Sequence, residues 1–421
     1  MRLTREKTMS KPTRSMRSIL TARQVILLQV LTMAPLMIGA ASAQEELFRP
    51  VQAGRAAGAD QSPIVERLRQ RPTTQSLDLV EVDVNALRGD SVRLSIPNTP
   101  SLVLSRRSQD VRSADNFTYY GTLGTVPGEA TLVVRNGNIT GSIQDQGTLY
   151  RIEPVGNGVH ALIKVYGDRF PPEHPPSFEE KERRGDIRAP ARMRDANRSD
   201  GLADIDVLVA YTPGAQGNVA DIDATIQLAV AEANQSYANS AVRLKLNVVD
   251  SFLVPLSESG KDFDTIIAEF KANPTVQQRR DSKGADLAVM IIDKNDFCGM
   301  ADAIMADAST AFAVVHYDCA TGYYSFAHEL GHLQGARHDP VNDPTSMPFS
   351  YGHGFQHLSP PPAWRTIMAY ACSGGCPRLQ YWANPNVQYN GIPMGHSATN
   401  DDARVLNETA STVAGFRSVG N

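Results

Sequence analysis

The sequence predicts two folded regions of different class. Residues 44–169 are expected to form an all-β region, because short strands separated by turn residues follow one another closely over residues 76–166. Residues 204–421 are expected to form an α/β (α+β) region with a mostly parallel sheet, because strand-like runs alternate there with segments of helical spacing. Between them, residues 170–203 are rich in Pro and charge, which predicts an exposed linker that proteases can cut.

The composition is that of a globular protein. Of the 421 residues, 42% are hydrophobic and 20% are charged, which excludes a disordered or fibrous chain. The net charge is −4, although residues 1–23 carry seven Lys or Arg and a single Glu. The remaining chain is therefore acidic, which argues against nucleic acid as its main partner.

Residues 1–43 have the pattern of a cleaved signal peptide. A basic segment precedes the apolar run Val25–Ala40, and Ala41-Ser42-Ala43 provides a small-x-small cleavage site. The apolar run contains Gln29 and Pro35 and is shorter than the roughly 20 residues that a membrane span needs. We therefore expect a protein that is secreted, or released into a periplasm, without stable membrane insertion.

The first region is expected to be a run of strands with one clear hairpin. Its turn is expected at Asn136-Gly137, a pair that favours two-residue hairpin loops. The expected strands are Ser91–Ile96, Ser101–Ser105, Phe117–Leu123, the two arms of Ala130–Ile143, and residues 148–154 and 160–165. The strands contain no cysteine and only one histidine, His160, so no catalytic constellation is expected there.

The second region is expected to build a sheet around Leu287–Ile292, a continuous apolar run typical of a central strand covered on both faces. Other strands are expected at Ile205–Tyr211, Val242–Val254 and Phe312–Tyr317, and helices at Asp221–Tyr237, Phe263–Phe270 and Asp401–Phe416. All four cysteines also lie here. Their proximity in sequence favours the pairs Cys298–Cys319 and Cys372–Cys376, and only the second pair has the close spacing of a zinc site. Export favours disulfides instead.

The segment FAHELGHLQGARHDP predicts a catalytic metal site. His328 and His332 are four residues apart and share one helix face, so they can hold one metal ion. Gly335 tolerates positive φ, so the chain can turn there and bring His338 back as a third ligand. Three protein ligands leave a position open for water, as in catalytic zinc sites. Glu329 could accept a proton from that water and pass it to a leaving amine.

The other histidines of the second region lack such partners. We expect them to be ordinary polar residues; they are His316, His353, His357 and His396.

The zinc segment resembles the extended motif of the metzincin metalloproteases. WRTIMAY (Trp364–Tyr370) resembles their methionine turn, which implies that Met368 forms a hydrophobic floor beneath the zinc. Asp339, directly after the third histidine, is similar to the adamalysin or reprolysin branch. Tyr370 is instead similar to astacins and serralysins, where this tyrosine can ligate zinc or steady the tetrahedral intermediate. Simple packing is the alternative role for Tyr370.

A closer resemblance covers most of residues 204–417. DFCGMA, VVHYDCATGYYSFAHELGH, WRTIMAYAC and NPNVQYNGIPMG resemble segments of the bacterial peptidyl-Asp metalloendopeptidases, a reprolysin-like group. This resemblance implies cleavage on the amino side of Asp, and leaves open whether bonds before Glu are cut as well.

The β-rich region resembles a reprolysin pro-domain through YYGTL, NGNITGSI and YRIEP. Such pro-domains often silence the zinc with a cysteine. This region has none, so latency would need another ligand or steric blockage. A permanent binding domain is the alternative.

The leading hypothesis is a secreted, monomeric zinc endopeptidase with one catalytic Zn²⁺ and protein or peptide substrates. A broad-specificity metzincin protease is one alternative. An exported binding or adhesion protein with a structural zinc is another, although structural sites usually have four protein ligands and need no adjacent general base. The sequence leaves open whether structural calcium is bound.

Preference for Asp would require a pocket for a carboxylate, and the planar fork of arginine suits that purpose. In the metzincin layout, the chain after the methionine turn shapes this pocket, which favours Arg378, with Arg365 in reserve. A solvated surface arginine is the alternative for each. The same activity predicts that the mature enzyme begins, by self-cleavage, at one aspartate of a set formed by Asp186, Asp195, Asp200 and Asp204.

Overall fold

The computed structural model describes residues 44–124, 128–178 and 201–417. The expected signal peptide therefore lies outside the described residues, as do the candidate cleavage sites Asp186, Asp195 and Asp200. None of the described helices is long and apolar enough to cross a membrane.

The first described region forms a nine-stranded antiparallel sheet with the order β1-β2-β9-β8-β7-β6-β5-β4-β3. The strands are β1 (Phe48–Pro50), β2 (Thr74–Val82), β3 (Ser91–Leu94), β4 (Leu102–Ser113), β5 (Asn116–Leu123), β6 (Gly128–Arg135), β7 (Asn138–Asp145), β8 (Thr148–Gly156) and β9 (Val159–Val165). Asn136 and Gly137 have φ of 52° and 76°, as a type I′ hairpin turn requires. The expected hairpin is thereby confirmed.

The second described region is built on a five-stranded sheet with the order β11-β10-β12-β14-β13. Its strands are β10 (Ala203–Tyr211), β11 (Leu244–Leu253), β12 (Leu287–Ile292), β13 (Gly299–Ala301) and β14 (Phe312–His316). The pairs among β10, β11, β12 and β14 are parallel, and β13 runs antiparallel to β14 at one edge. Strand β12 lies at the centre and is buried along its whole length, which confirms the mostly parallel sheet.

Helices cover this sheet, and two short ladders follow it. The helices of this region are Pro213–Asn218, Ile222–Asn239, Phe263–Ala272, Pro274–Lys283, Tyr317–Ala320, Ser325–Leu333 and Asp402–Val413. The ladders pair β15 (Gln356–His357) with β16 (Trp364–Arg365) and β17 (Asn384–Tyr389) with β18 (Ile392–Met394). Helix Ile222–Asn239 also contacts β6 and β7 of the first sheet, so it joins the two regions.

Short helices were not expected from the hydrophobic pattern. In the first region they are Ala53–Asp60, Pro63–Gln70 and the 3₁₀ turn Val84–Arg88. Three helices begin with a proline that follows a capping residue, namely Ser62, Thr212 or Asn273. A capping residue followed by proline was the sequence signal that could have predicted these helices.

The beginning of the expected linker is buried, which corrects the prediction of an exposed segment for residues 171–178. Glu173 and His174 are only 8% and 3% exposed. The carbonyl oxygens of Pro172 and Glu173 accept hydrogen bonds from the N–H groups of Cys298 and Gly299, at 2.8 and 3.1 Å. We call residues 171–178 the plug segment, because they lie against the edge strand β13 of the second region.

Candidate active site

The helix Ser325–Leu333, called the active-site helix below, brings the first two histidines of the motif together. It ends at Leu333, and Gly335 has a φ of 102°, a conformation that favours glycine. A Cβ at Gly335 would also lie 3.1 Å from atoms of Met305 and Phe349. The chain therefore turns sharply after the helix and returns His338 to it, as the spacing predicts.

The ring nitrogens of these three histidines converge. The Nε2 atom of His332 lies 3.1 Å from those of His328 and His338, which are 3.2 Å apart. A tetrahedral zinc with Zn–N bonds of about 2.0–2.1 Å separates its ligand nitrogens by roughly 3.4 Å. The observed spacing is close to that value, so the three rings fit a metal ion.

Hydrogen bonds at the Nδ1 atoms of His328 and His332 explain why the Nε2 atoms of these rings face the cluster. Nδ1 of His328 lies 2.9 Å from the carbonyl oxygen of Ile367, and Nδ1 of His332 lies 2.9 Å from that of Ala336. Burial lowers the pKa of all three rings well below its usual value, which keeps them neutral. A neutral ring that donates from Nδ1 has a lone pair on Nε2, and converging lone pairs need a cation between them.

Glu329 lies beside the histidine cluster and is buried. Burial raises the pKa of its carboxyl group, and the ring of His174 opposes that rise. Nε2 of His174 lies 3.1 and 3.2 Å from the two carboxylate oxygens. A Cβ at Gly299 would overlap the Glu329 carboxylate, so glycine is required at that position of β13.

The residues of the methionine turn lie under and beside this cluster. Met368 is fully buried beneath the active-site helix, where its Sδ lies 3.0 Å from the point a Cβ on Gly331 would occupy. Asp339 accepts a hydrogen bond from the N–H of Tyr370 at 3.0 Å, which joins the third histidine to the turn. The ring of Tyr370 lies 4.2 Å from that of His338. The roles assigned to Met368, Asp339 and Tyr370 stay predictions, but all three residues lie next to the histidine cluster.

Both arginines proposed for specificity are buried and face the same carboxylate. Nη2 of Arg378 lies 2.7 Å from Oε1 of Glu173, and Nη1 of Arg365 lies 3.4 Å from it. Tyr323 donates its hydroxyl to the same oxygen at 3.1 Å and accepts from Nη2 of Arg365 at 2.9 Å. Burial opposes the charge of Glu173, yet the two guanidinium groups hold the pKa of its carboxyl below the usual value. We call Arg365, Arg378 and Tyr323 the acid pocket; the solvated alternative for the arginines is wrong.

Two disulfides flank the acid pocket, and both expected pairs are confirmed. Cys298–Cys319 packs against Tyr323 and joins the chain before β13 to the helix after β14. Cys372–Cys376 closes a short loop just before Arg378. The pocket is therefore held by covalent links on two of its sides.

The other histidines of the second region stay outside the metal cluster among the described residues. Burial lowers the pKa of His316 to about 4, while His396 is exposed. His357 contacts the carbonyl of Pro360 at 2.7 Å. His353 is more than an ordinary polar residue, because its Nδ1 lies 2.7 Å from the carbonyl oxygen of His338.

Sequence reasoning missed three residues of the site: Glu173, His174 and Tyr323. His174 joins His328, His332 and His338 in a buried group whose possible ligand atoms all lie within 4.8 Å of one another. Its only sequence signal was a Glu-His pair between two proline pairs, PPEHPP, inside an otherwise charged segment.

Comparison with known proteins agrees with this geometry. Residues 202–383 match the family described as Metallo-peptidase family M12. The chain is 38% identical over 386 residues to a peptidyl-Asp metalloendopeptidase of Xanthomonas campestris pv. campestris, covering 86% of this chain and 91% of that protein. It is 39% identical over 408 residues to a protein of the same name from Stenotrophomonas maltophilia strain R551-3, covering 91% and 96%. A third, from Pseudomonas fragi, is 40% identical over 186 residues, which are 44% of this chain and 100% of that protein.

Proposed function

Because the chain belongs to the family of peptidyl-Asp metalloendopeptidases, we propose that it is a zinc endopeptidase that hydrolyses bonds on the amino side of Asp or Glu. The observation that carries the preference is the acid pocket beside the histidine cluster. Glu173 and His174 are consecutive, and their side chains enter the pocket and the cluster respectively. Since adjacent Cα atoms are about 3.8 Å apart, a carboxylate in this pocket belongs to a residue next to the reacting bond.

His328, His332 and His338 would hold the zinc ion. Zinc bound there would supply the Lewis acidity that polarises the scissile carbonyl and acidifies a water molecule. Ile367 and Ala336 orient two of the rings through their carbonyl groups. A substitution that shifts the backbone of Ile367, in the methionine turn, would therefore also tilt the ring of His328.

Glu329 would act as the general base and then as the proton donor to the leaving amine. Burial raises the pKa of its carboxyl, which brings that group nearer to the value that suits proton transfer at neutral pH. The hydroxyl of Tyr370 lies 3.5 Å from Nδ1 of His174, so it borders the space where a substrate carbonyl would react. From there it could donate a hydrogen bond to the developing oxyanion.

Arg378 and Arg365 would determine which bonds are cut. Two buried guanidinium groups without a carboxylate would repel each other in a poorly hydrated pocket, so a substrate lacking an acid would leave them uncompensated. A broad-specificity protease has no need of such a pair. We also propose export, supported by the two disulfides and by the signal pattern of residues 1–43.

The test is a digest of an unfolded proteome with the purified protein, followed by mass spectrometry of the new termini. We expect new amino termini to begin with Asp, and less often with Glu. A chelator should abolish cutting and zinc should restore it. Cutting without acidic preference would favour the broad-specificity alternative, and full activity after exhaustive metal removal would exclude a metal-dependent mechanism.

Each ligand can then be tested separately. His328→Ala, His332→Ala and His338→Ala should each sharply weaken zinc binding in equilibrium dialysis, whereas His396→Ala should leave it unchanged because His396 is exposed and outside the cluster. A variant of the three that keeps parental zinc affinity would remove that residue from the ligand set.

A further inference from the structure

The plug segment enters the active site from the chain's own N-terminal side. The His174 ring lies 5.0, 5.0 and 4.8 Å from the rings of His328, His332 and His338, measured between centroids. Phe178 stacks on His174 at 4.5 Å and on the edge of His332 at 5.0 Å. The segment is thus packed onto the metal cluster rather than passing near it.

We propose that the unprocessed chain holds itself inactive with the consecutive pair Glu173-His174. His174 serves as the fourth nitrogen donor to the metal, and Glu173 occupies the acid pocket in place of a substrate's acidic side chain. This inference rests on the proposed function, because it assigns an occupant to each half of that active site.

Hydrolysis needs an open position for water on the metal and a free general base, and His174 interferes with both. Three protein ligands leave a position for water, and a fourth nitrogen donor closes it. The same ring contacts both carboxylate oxygens of Glu329, so the general base already has a partner. A cysteine is therefore not required for latency, and a histidine can do the same work with the donor chemistry that zinc accepts.

Glu173 contacts all three residues of the acid pocket. Its Oε1 atom contacts Arg378, Arg365 and Tyr323. Its backbone carbonyl and that of Pro172 are bonded to the N–H groups at the start of β13. Side-chain recognition and main-chain recognition are therefore both occupied, as in a bound peptide.

The fit of Glu173 is nevertheless incomplete, which suits an occupant that must leave. Oε2 of Glu173 and the Nε atoms of Arg365 and Arg378 are buried without a hydrogen-bond partner among the described residues. A carboxylate that engaged these spare donors would be bound more strongly than Glu173 is. Substrate can then compete once the plug segment is no longer tethered.

Two features hold the plug segment in place. Proline pairs on both sides of Glu173-His174 fix φ and restrict the neighbouring residues to extended conformations, which lowers the entropy lost on docking. Ser177 donates a hydrogen bond to Asp264 at 2.6 Å, beyond the active site. Cleavage after the plug segment, in residues 179–203, would break its covalent link to the catalytic region.

The first experiment measures the metal site without relying on activity. The full chain carrying Glu329→Gln, which prevents self-cleavage, is loaded with cobalt as a spectroscopic substitute for zinc. Adding His174→Ala should change the visible absorption spectrum and weaken zinc binding by about tenfold or more, because a nitrogen donor is lost. His396→Ala is the matched control and should change neither. An unchanged spectrum and affinity in the His174→Ala chain would overturn the proposal.

The second experiment measures latency in the full chain with Glu329 intact. The initial rate of cutting a peptide with a single Asp is recorded while gels show the chain still uncleaved. His174→Ala and Glu173→Gln should each raise this rate by roughly tenfold or more, because the competent fraction rises. Asp168→Asn, at an exposed position before the plug segment, is the control for Glu173→Gln and should have no effect.

The outcomes separate the two proposals. If the parental chain and the His174→Ala and Glu173→Gln chains all cut before Asp at the same rate, the proposed latency by the plug segment is wrong and the proposed function stands. If the cobalt spectrum responds to His174→Ala but no chain, cleaved or uncleaved, cuts any peptide, the proposed function is wrong and the fourth donor stands.

Discussion

Two buried clusters, each of two arginines around one carboxylate, connect the N-terminal part of the chain to the catalytic region. They differ in which part of the chain supplies the carboxylate and which supplies the arginines. In the first, the catalytic region supplies the carboxylate of Asp318, and the N-terminal sheet region supplies Arg71 and Arg151. In the second, the catalytic region supplies Arg365 and Arg378, and the plug segment supplies Glu173. We call the first the docking cluster.

The two clusters differ in how fully their polar groups are paired. In the docking cluster, Thr73 donates to Asp318 at 2.6 Å, and Arg151 also donates to the carbonyl oxygens of Asp318 and Thr321. One nitrogen of the docking cluster, Nε of Arg151, lacks a partner among the described residues, whereas both arginine Nε atoms and one oxygen of Glu173 lack one in the acid pocket. This difference supports our proposal that the plug segment is an exchangeable occupant of the acid pocket, and it suits the docking cluster to a lasting contact between the two regions.

The largest expected effect separates the active site from the docking cluster by their importance for catalysis. Glu329→Gln should retain zinc and lower turnover of the processed enzyme by roughly a hundred- to ten-thousand-fold, because general-base help is removed. Asp318→Asn in the same processed enzyme should leave turnover nearly unchanged, although Asp318 is also buried in the full chain. Steady-state kinetics with zinc-loaded protein tests both. Near-parental turnover of a zinc-loaded Glu329→Gln enzyme would refute the mechanism.

The next effect concerns how much the docking cluster stabilises the full chain against unfolding. Asp318→Asn in the full chain should lower the free energy of unfolding by about 3–5 kcal/mol, because the buried guanidinium group of Arg151 loses its counter-charge and that of Arg71 keeps only Glu153. The exposed pair Arg49–Asp83 provides the control, since Asp83→Asn should change it by about 1 kcal/mol or less. Urea unfolding followed by fluorescence measures both. Equal effects from the two substitutions would show that the docking cluster does not fasten the regions.

A smaller effect is expected on substrate preference. Arg378→Ala should lower kcat/KM for an Asp peptide by roughly 30- to 100-fold relative to the matching Asn peptide, because a buried charge partner is lost. Arg243→Ala, at an exposed position of the catalytic region, should leave this ratio unaltered in the processed enzyme. If the preference for Asp survives in both Arg378→Ala and Arg365→Ala, the acid pocket does not set it.

The smallest effect is a pH dependence of the docking cluster. Burial disfavours the charge of Asp318, but Arg151 and Arg71 outweigh it and hold the pKa of its carboxyl at about 2. Because this pKa is lowered on folding from an ordinary value of about 3.9, the stabilisation is complete above pH 4 and is lost as the pH falls toward 2. It amounts to roughly 2–3 kcal/mol. The pH dependence of unfolding between pH 5 and 2 should therefore be shallower in Asp318→Asn, and identical slopes would contradict this assignment.

Local patterns explain what could be predicted. The histidine spacing, the turn at Gly335 and the apolar strand Leu287–Ile292 each depend on residues that are close in sequence, and each is found as expected. Arg378 and Arg365 could be proposed from chemistry and from the family resemblance together, since an acidic preference requires a cation and the metzincin layout places the chain around the methionine turn near the pocket.

What could not be predicted depends on contacts between distant segments. His174 and Glu329 are 155 residues apart in sequence, and no periodicity connects a proline-rich segment to a helix in another region. Tyr323 looked like one more aromatic residue before the zinc motif, because its role follows only from the two arginines that pack on its ring. Burial of a charged, proline-rich segment is visible only once its partner surface has formed.

The edge strand β13 has a consequence for the kind of protein this enzyme can attack. The N–H groups of Cys298 and Gly299, at its start, bind the main chain of whatever peptide lies there. A peptide can meet such donors only when its own backbone is extended and free of helix or sheet pairing. Aspartates in folded helices should thus resist cutting until the helix unwinds, whereas those in loops and denatured chains are accessible. Local unfolding of the target would then set the rate of its digestion as much as the presence of an acidic residue.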